Sequence, residues 1–372
     1  MKIICDKITL QNAVNTVSRA CSQKSPIPAL EGILLEAGEN TLKLTGYDLK
    51  KGIYTSVDAT VYEPGSVVVA SRIFGDIVRS LPNGDVTISM EDNLNVSISC
   101  DKSEFSIVGS DYNDYPELPS VESNDGIDLP QKMLREMISQ TIFSVSTNES
   151  RPVYTGELFE IDEDGNFSII AVDGYRLAIR REKLERKGSS MSFIVPSSAL
   201  SDIEKMSSDD EGLVKIVLGS KHISFSIDKT VLVTRRLEGE FLNYHKAVPT
   251  VFNINVQTDR GFLQRAVERV SLIIDDKIKN PLHCTFGNGV IHIVCTTALG
   301  KAEDACMVDG DGGDIEIGFN NRYMLDALKA APDDDIKICA NTGSAPCVIV
   351  PTDDGDNKFL YMILPVRLKA GE

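Results

Sequence analysis

The chain has 372 residues and a formal net charge of −17 at pH 7, and a chain of this length can bury several hydrophobic cores. It shows neither a charged start followed by an apolar run nor any apolar run near 18 residues, so no signal peptide or membrane-spanning helix is predicted and a soluble, cytoplasmic protein is expected. Its eight cysteines include no C-x-x-C pair, which favours reduced thiols in an intracellular protein.

The first amphipathic helix of the chain has two counterparts further along. Its apolar positions return after 124 residues and again after a further 129, at Leu10, Val14, Val17; Leu134, Ile138, Thr141; and Leu263, Val267, Val270. A second helix, followed by a turn and a strand, recurs with steps of 128 and 122 residues at Val86, Val214 and Ile336. Because two landmarks share one long spacing, each repeat is predicted to be a domain with its own core. The predicted domains are 1–122, 123–247 and 248–368, followed by a short tail at 369–372.

Two helices are predicted in each repeat, at 8–23, 71–80, 131–144, 197–207, 260–274 and 320–330. Between them apolar and polar residues alternate, as at Val86, Ile88 and Met90, which indicates sheets with one buried face. Turn dipeptides separate these strands at Asn83-Gly84, Asp164-Gly165, Asn288-Gly289 and Asp354-Gly355. Helices that alternate with runs of several strands predict an α+β fold with largely antiparallel sheets.

Charge is distributed unevenly between the helices and the rest of the chain. The six predicted helices contain eleven Lys and Arg against six Asp and Glu, whereas the remainder is strongly acidic. A locally basic surface attracts phosphates even when the whole protein is acidic, because the electric field is a local property. Lys and Arg also favour exposed helix faces for reasons unrelated to DNA, so charge alone leaves both interpretations open.

Residues typical of catalysis or metal binding are sparse. The four histidines lie outside the known hydrolase motifs, and the cluster His283, Cys284, His292 and Cys295 lacks paired ligand spacing. Two acidic loops fail as calcium loops, because Ala171 replaces the required Glu in the first and Asp314 replaces the required Gly in the second. The sequence therefore predicts no catalytic residue, no metal and no cofactor.

A series of short segments carries a resemblance to a known family. They are S-P-I-P-A-L-E-G-I-L-L-E (25–36), L-T-G-Y-D-L (44–49), S-R-I-F-G-D-I-V-R-S-L-P (71–82), D-Y-N-D-Y-P-E-L (111–118), A-V-D-G-Y-R-L-A (171–178), E-G-E-F-L-N-Y (238–244), I-G-F-N-N-R-Y-M-L-D-A-L (317–328) and Y-M-I-L-P-V-R-L (361–368). In this order, on a threefold repeat, they resemble the bacterial DNA polymerase III beta subunit family of sliding clamps. The resemblance spans the chain except for the tail at 369–372.

The resemblance implies an architecture and a function. Two chains would associate head to tail, so that six domains close a ring with sheets outside and twelve helices lining a central hole. Such a ring encircles double-stranded DNA, contacts the backbone without reading sequence, and has no reaction to catalyse. The implied protein partners are the DNA polymerase III catalytic subunit, the clamp loader and other proteins with a clamp-binding motif.

The resemblance also implies three sets of functional residues. The DNA-facing set is Lys24, Arg72, Arg79, Lys132, Arg135, Lys205, Arg265 and Arg322, of which the first three lie on matching family segments and the rest follow from helix position. The partner-peptide groove comprises Tyr154, Val172, Gly174, Tyr175, Arg176, Leu177, Leu242, Lys246, Ala247, Met362, Ile363, Leu364, Pro365, Val366 and Arg367, bordered by Asn320 and Tyr323. The dimer interface pairs Phe105, Ile107 and the neighbours of Val108 with Leu272, Ile273 and the strand at 302–307. Two groove residues depart from the family pattern, since Leu242 replaces a common Pro and Tyr175 a common His.

Two other interpretations remain open from the residues alone. One is a monomeric, β-rich scaffold protein built by triplication, which the lack of a dimer would favour. The other is a metal-dependent hydrolase that uses His283, His292 and the acidic loops, which bound metal would favour.

Overall fold

Antiparallel strand pairs joined by short turns make up most of the structure. It is a computed structural model that describes residues 1–122, 126–185, 188–209, 211–275, 278, 280–353, 355 and 357–368. The predicted tail at 369–372 and the Asp354 half of one predicted turn lie outside the described residues.

The helices are α1 Lys7–Val17, α2 Ser71–Ser80, α3 Gln131–Ser139, α4 Ser197–Met206, α5 Tyr244–Ala247, α6 Arg260–Ser271 and α7 Asn321–Ala330. The strands of the first half are β1 Lys2–Asp6, β2 Gly32–Gly38, β3 Thr41–Tyr47, β4 Lys51–Asp58, β5 Thr60–Glu63, β6 Gly65–Ala70, β7 Asp85–Met90, β8 Asn95–Cys100, β9 Ser103–Val108, β10 Gly126–Pro130, β11 Gly156–Ile161 and β12 Asn166–Val172. Those of the second half are β13 Arg176–Lys183, β14 Met191–Pro196, β15 Leu213–Leu218, β16 His222–Ile227, β17 Thr230–Arg235, β18 Ile254–Asp259, β19 Leu282–Thr297, β20 Gly300–Phe319, β21 Asp335–Ala340, β22 Cys347–Pro351 and β23 Phe359–Ile363.

All six predicted helices are present, and the predicted α+β class with antiparallel sheets is confirmed. Three helices end well before their predicted ends: α1 at Val17, α3 at Ser139 and α6 at Ser271. After α1, residues Ser18–Ala20 form a 3-10 turn, and the Ser18 hydroxyl donates to the Val14 carbonyl. After α3, the buried Thr141 hydroxyl donates back to the Met137 carbonyl. Such side-chain bonds to the preceding turn compete with the regular helix, which ends earlier than its apolar pattern suggests.

The predicted turn at Asn288-Gly289 is confirmed. These residues lie in the middle of β19, where the pairing with β20 shifts register on both sides of Asn288. Gly289 has φ = +71°, a conformation that glycine adopts without strain. The side-chain amide of Asn280, just before β19, donates to the Thr296 carbonyl near its end at 3.2 Å, so the chain reverses direction at this dipeptide and the two halves of β19 lie side by side.

The chain divides into two compact units, each with its own sheets. Unit 1 comprises Met1–Arg135 and Ser198–Arg236, and unit 2 comprises Glu136–Ser197 and Leu237–Glu372. Unit 1 contains a five-stranded sheet in the order β5-β1-β7-β8-β9 and an eight-stranded sheet in the order β10-β15-β16-β17-β4-β3-β2-β6. Unit 2 contains a ten-stranded sheet in the order β14-β11-β12-β13-β23-β22-β21-β18-β20-β19.

Strands from consecutive repeats pair with each other inside these sheets. In unit 1, β4 of the first repeat pairs with β17 of the second, with Thr55 opposite Thr230. In unit 2, β13 of the second repeat pairs with β23 of the third, with Arg180 opposite Phe359. Each repeat is thus joined to the next by a continuous antiparallel ladder of backbone hydrogen bonds.

The cores lie between the helices and the sheets. In unit 1, α1 packs against α2, and Leu10, Val14 and Val17 are fully or almost fully buried. In unit 2, Leu263 and Val267 of α6 share one core with Met324 and Leu328 of α7. In the part of the chain that the structure describes, no helix combines the length and apolar character needed to cross a membrane.

A glycine at the contact between α1 and its sheet provides a test of this packing. A Cβ atom at Gly46 in β3 would lie 2.1 Å from the Val17 carbonyl oxygen, whereas one at Gly38 in β2 would meet no atom within 4 Å. We expect Gly46→Ala to lower the free energy of unfolding by about 2 kcal/mol, because the backbone of α1 must shift. Gly38→Ala is the matched control and should leave the denaturant midpoint nearly unchanged; equal midpoints for the two variants would contradict the packing described.

Candidate functional site

A tight turn between β12 and β13 presents the exposed Tyr175 at the surface of unit 2. The Asp173 carboxylate shapes this turn by accepting from the backbone N–H groups of Tyr175 at 2.9 Å and Arg176 at 3.1 Å. Gly174 has φ = +93°, which a residue with a side chain rarely adopts. The Tyr175 carbonyl then accepts from the N–H of Leu364 at 2.8 Å, so the turn is tied to the segment that follows β23.

The Arg176 guanidinium is held on several sides. Its Nε donates to Asp173 Oδ2 at 2.8 Å, and one terminal nitrogen donates to Asp326 Oδ2 of α7 at 2.6 Å. It also lies over the ring of Tyr323, 4.4 Å from the centroid, and over that of Phe143 at 5.4 Å. Its side chain is only 12% exposed, so these contacts fix it in a largely desolvated position, where charge-assisted bonds are strong.

Tyr175 and Tyr323 form a stacked pair beside this arginine, with ring centroids 6.5 Å apart. Burial raises the pKa of Tyr323, and the nearby Asp173 carboxylate adds to the shift. Asn320 caps α7, since its side-chain oxygen accepts from the N–H groups of Arg322 and Tyr323. The ring of Tyr323 is therefore positioned by the start of the helix as well as by the arginine.

These residues line a cleft of about 440 Å³. It brings together four residues of the predicted groove and its border with one of the predicted DNA-facing residues: Tyr175, Arg176, Asn320, Tyr323 and Arg322. Asp173, Asp275 and Asp326 also line it. The cleft is polar, with acidic groups outnumbering basic ones.

An apolar cluster in the same unit contains five more of the predicted groove residues. Val172, Leu177 and Met362 are buried in it, and Tyr154 and Leu242 pack against it while remaining half-buried. The Tyr154 ring meets that of Phe241 edge-on at 5.5 Å. The half-buried members form a surface on which an apolar peptide side chain can pack, while the buried ones support it from below.

The remaining predicted groove residues are placed differently from one another. Ile363 is buried in the core shared by α6 and α7, not in the apolar cluster. Lys246 and Ala247 lie on the short helix α5, where Lys246 is exposed and Ala247 half-buried. Leu364 and Pro365 are half-buried, whereas Val366 and Arg367 are exposed. The backbone of Val366 forms an isolated antiparallel bridge with Gly318.

Most residues predicted to face DNA are exposed. In unit 1 these are Lys24, Arg72, Arg79, Lys132 and Lys205, while Arg135 is half-buried. Arg79 pairs with Asp76 at 2.9 Å and Arg135 with Asp209 at 2.7 Å, so part of their charge is neutralised locally. In unit 2, Arg265 and Arg322 are exposed, and Arg265 lies over the ring of Phe262. Lys24 follows the first helix and belongs to a bend.

The residues predicted to form the dimer interface lie on and beside sheet edges. Phe105 and Ile107 are half-buried on β9, the last strand of the five-stranded sheet, and Val108 next to them is 77% exposed. In unit 2, Leu272 is 83% exposed after α6, and Ile273 packs against the core. Met307 of β20 is 78% exposed.

Comparison with known proteins places the chain in one family over almost all of its length. The N-terminal, central and C-terminal domain profiles of the DNA polymerase III beta subunit match residues 1–119, 128–243 and 245–367. The chain belongs to the DNA polymerase III beta subunit family. A beta sliding clamp of Staphylococcus aureus is 33% identical over 364 residues, covering 95% of this chain and 96% of the relative.

Solved structures of such clamps have the same fold. The DNA polymerase sliding clamp of Bacillus subtilis superimposes with a TM-score of 0.94 at 29% identity, covering 99% of this chain and all of that one. The DnaN sliding clamp of Pseudomonas aeruginosa bound to griselimycin does so with a TM-score of 0.93 at 25% identity, with the same coverage. The resemblance predicted from the sequence and its clamp-type domains are thus confirmed.

The family assignment decides between the interpretations that the sequence left open. The function is that of a replicative sliding clamp, and the chain is a non-catalytic member of this family. Both the scaffold and the metal-dependent hydrolase interpretations are therefore wrong. His283, which the hydrolase interpretation used, has its Nδ1 within hydrogen-bond distance of Glu316 Oε1, at 2.8 Å.

Sequence reasoning missed three residues that organise the cleft: Phe143, Asp173 and Asp326. Asp326 lies 150 residues from Arg176, so no local pattern connects them. A signal was nevertheless present in the repeats, because Asp202 occupies the same sixth position of α4 that Asp326 occupies in α7.

Proposed function

We propose that two copies of this chain associate head to tail into a closed ring around double-stranded DNA, and that the ring holds replication proteins through the groove of unit 2. The observation that carries the proposal is the pattern of strand pairing between repeats. Two of three equivalent joints are made within the chain, and the strands for a third are left with open edges.

The two joints within the chain follow one rule. The strand after the second hairpin turn of one repeat, β4 or β13, pairs with the last strand of the next repeat, β17 or β23. The counterpart of β4 and β13 in the third repeat is the start of β20, and the counterpart of β17 and β23 in the first repeat is β9. Within the described residues, the part of β20 at 300–308 pairs with β19 alone. Strand β9 likewise pairs with β8 alone among these residues, so each strand has one free edge.

Open strand edges present unpaired N–H and C=O groups, which pair readily with another strand. The two edges of one chain differ in sequence, so each fits the other edge on a second copy and not itself. This is a head-to-tail contact, which closes into a ring when the rotation fits. The exposed apolar residues Val108, Leu272 and Met307 support the same interface, with Phe105, Ile107 and Ile273 beside them.

The DNA-facing set is proposed to line the ring. Exposed Arg and Lys side chains on helices suit contacts to phosphates, which carry no sequence information and permit sliding. Local pairing of Arg79 and Arg135 with carboxylates keeps the field moderate. The strongly acidic remainder of the chain repels DNA from other surfaces.

The groove is proposed to bind short peptides of the DNA polymerase III catalytic subunit, the clamp loader and other clamp-binding proteins. The half-buried apolar residues Tyr154 and Leu242 suit the peptide's apolar anchors, and the exposed Tyr175 with the adjacent polar cleft suits its flanking groups. Griselimycin, which a related clamp binds, is proposed to occupy this groove.

The domain boundaries proposed from the repeat are 1–122, 123–247 and 248–368. The matched family domains, at 1–119, 128–243 and 245–367, support these boundaries to within five residues.

We also propose that the protein acts in the cytoplasm, on the nucleoid.

The ring is tested by light scattering combined with a topology experiment. We expect the mass of a dimer, and retention on nicked circular DNA that is lost when the circle is linearised, because a ring slides off a free end. A monomer, or a complex that ignores DNA ends, would reject the ring.

The DNA-facing set is tested by the double variant Arg72→Glu with Arg79→Glu. Reversing two phosphate-attracting charges should weaken retention on circular DNA about tenfold or more without changing the melting temperature. The control is Lys183→Glu with Lys229→Glu, which makes the same change in net charge at exposed strand and turn positions. Unchanged retention in the first variant would contradict the assigned surface.

Tyr175→Ala tests the groove. Tyr175 is 63% exposed, so its loss should leave folding intact while lowering the affinity for the polymerase catalytic subunit about tenfold. Tyr62→Ala is the control, since Tyr62 is 60% exposed on β5 and outside the groove. Equal affinities of the two variants, measured by surface plasmon resonance, would show that Tyr175 does not contact the partner.

A further inference from the structure

One ion pair occurs at the same place in two repeats. Asp202 is the sixth residue of α4 and contacts Lys51, the first residue of β4, in unit 1. Asp326 is the sixth residue of α7 and contacts Arg176, the first residue of β13, in unit 2. Each pair connects the second helix of one repeat to the strand through which the preceding repeat is joined to it.

The turns before the two basic residues are also alike. Asp48 accepts from the N–H groups of Lys50 and Lys51 at 2.8 and 2.7 Å, as Asp173 does from those of Tyr175 and Arg176. The shared geometry indicates that this ion pair stabilises the contact between consecutive repeats in both units. In unit 1 it has that role although the proposed groove lies in unit 2.

In unit 2 the same pair has an additional consequence, because its basic member is an arginine in contact with two rings. Two donors of the Arg176 guanidinium are engaged by Asp173 and Asp326, and its face lies over Tyr323. Tyr323 in turn stacks against the exposed Tyr175. The carboxylate of Asp326 is thus the first member of a chain of contacts that ends at the proposed docking surface.

We infer that Asp326 is a positioning residue of the groove. Its carboxylate fixes the Arg176 guanidinium, the guanidinium fixes the Tyr323 ring, and that ring holds Tyr175 in the orientation that the partner peptide meets. Because two carboxylates already neutralise Arg176, its contribution to peptide binding is to support the aromatic pair. The inference rests on the proposed function, since it takes Tyr175 as part of the docking surface.

The test measures griselimycin binding by isothermal titration calorimetry, well below the melting temperature of every variant. We expect Asp326→Ala to weaken binding about tenfold and Asp326→Glu to retain most of it, because a carboxylate remains. Asp202→Ala is the matched control. It removes the equivalent ion pair and leaves Lys51, whose side chain is 12% exposed, without its carboxylate, so it should lower the melting temperature while binding stays at the wild-type level.

A double-mutant cycle distinguishes positioning through Arg176 from a direct contact. In an Arg176→Ala background, Asp326→Ala should cause little further loss, since the residue through which it acts is gone. Wild-type affinity of Asp326→Ala, losses that add fully in the double variant, or an equal loss in Asp202→Ala would each overturn the inference.

The outcome for the wild-type protein separates this inference from the proposed function. If the wild type binds griselimycin and Tyr175→Ala weakens that binding, a failure of the Asp326 variants counts against the positioning role alone. If the wild type fails to bind, or Tyr175→Ala binds normally, the groove assignment falls and the role of Asp326 falls with it.

Discussion

The antiparallel ladder between one repeat and the next is the interaction on which the rest of the structure depends. Backbone N–H and C=O groups must be paired when they are removed from water, and β4 with β17 and β13 with β23 satisfy this requirement for two of three equivalent joints. These ladders merge small sheets into sheets of eight and ten strands. The helices then pack on one face of each sheet, and the turn that carries Tyr175 is placed where a ladder begins.

The candidate groove depends on the same ladder. Arg176 is both the first residue of β13, opposite Ile363 of β23, and the centre of the contacts with Asp173, Asp326 and Tyr323. A residue at a joint between repeats can order side chains from both of them, which a residue within one repeat cannot. A docking surface at such a joint needs few additional contacts to order it, since the contacts that hold two repeats together also fix the shape presented to a partner.

Much of this organisation was readable in the sequence, because its signals are periodic. The apolar spacing of α2 predicted its bounds, and the repeat predicted two helices in each domain. The turn at Asn288-Gly289 was predicted from the dipeptide alone, because glycine adopts the positive φ that Gly289 has here without strain. The pair of Arg176 and Asp326 joins residues 150 positions apart, so it depends on tertiary packing. The family resemblance supplied the groove residues, but not the separation of Ile363 from the apolar cluster.

The unequal origin of the joints affects how the assembly responds to dilution. Two joints connect segments of one polypeptide, so their strands are held at an effective concentration that chain length determines and that does not change in solution. The proposed third joint, between β9 of one chain and β20 of another, depends instead on encounters between molecules, and its occupancy falls as the protein is diluted. A ring of two chains would contain two such intermolecular joints. A covalent linker that spans one of them would make it a joint within a single polypeptide. The remaining joint would then also close within one molecule, so ring closure would no longer depend on protein concentration.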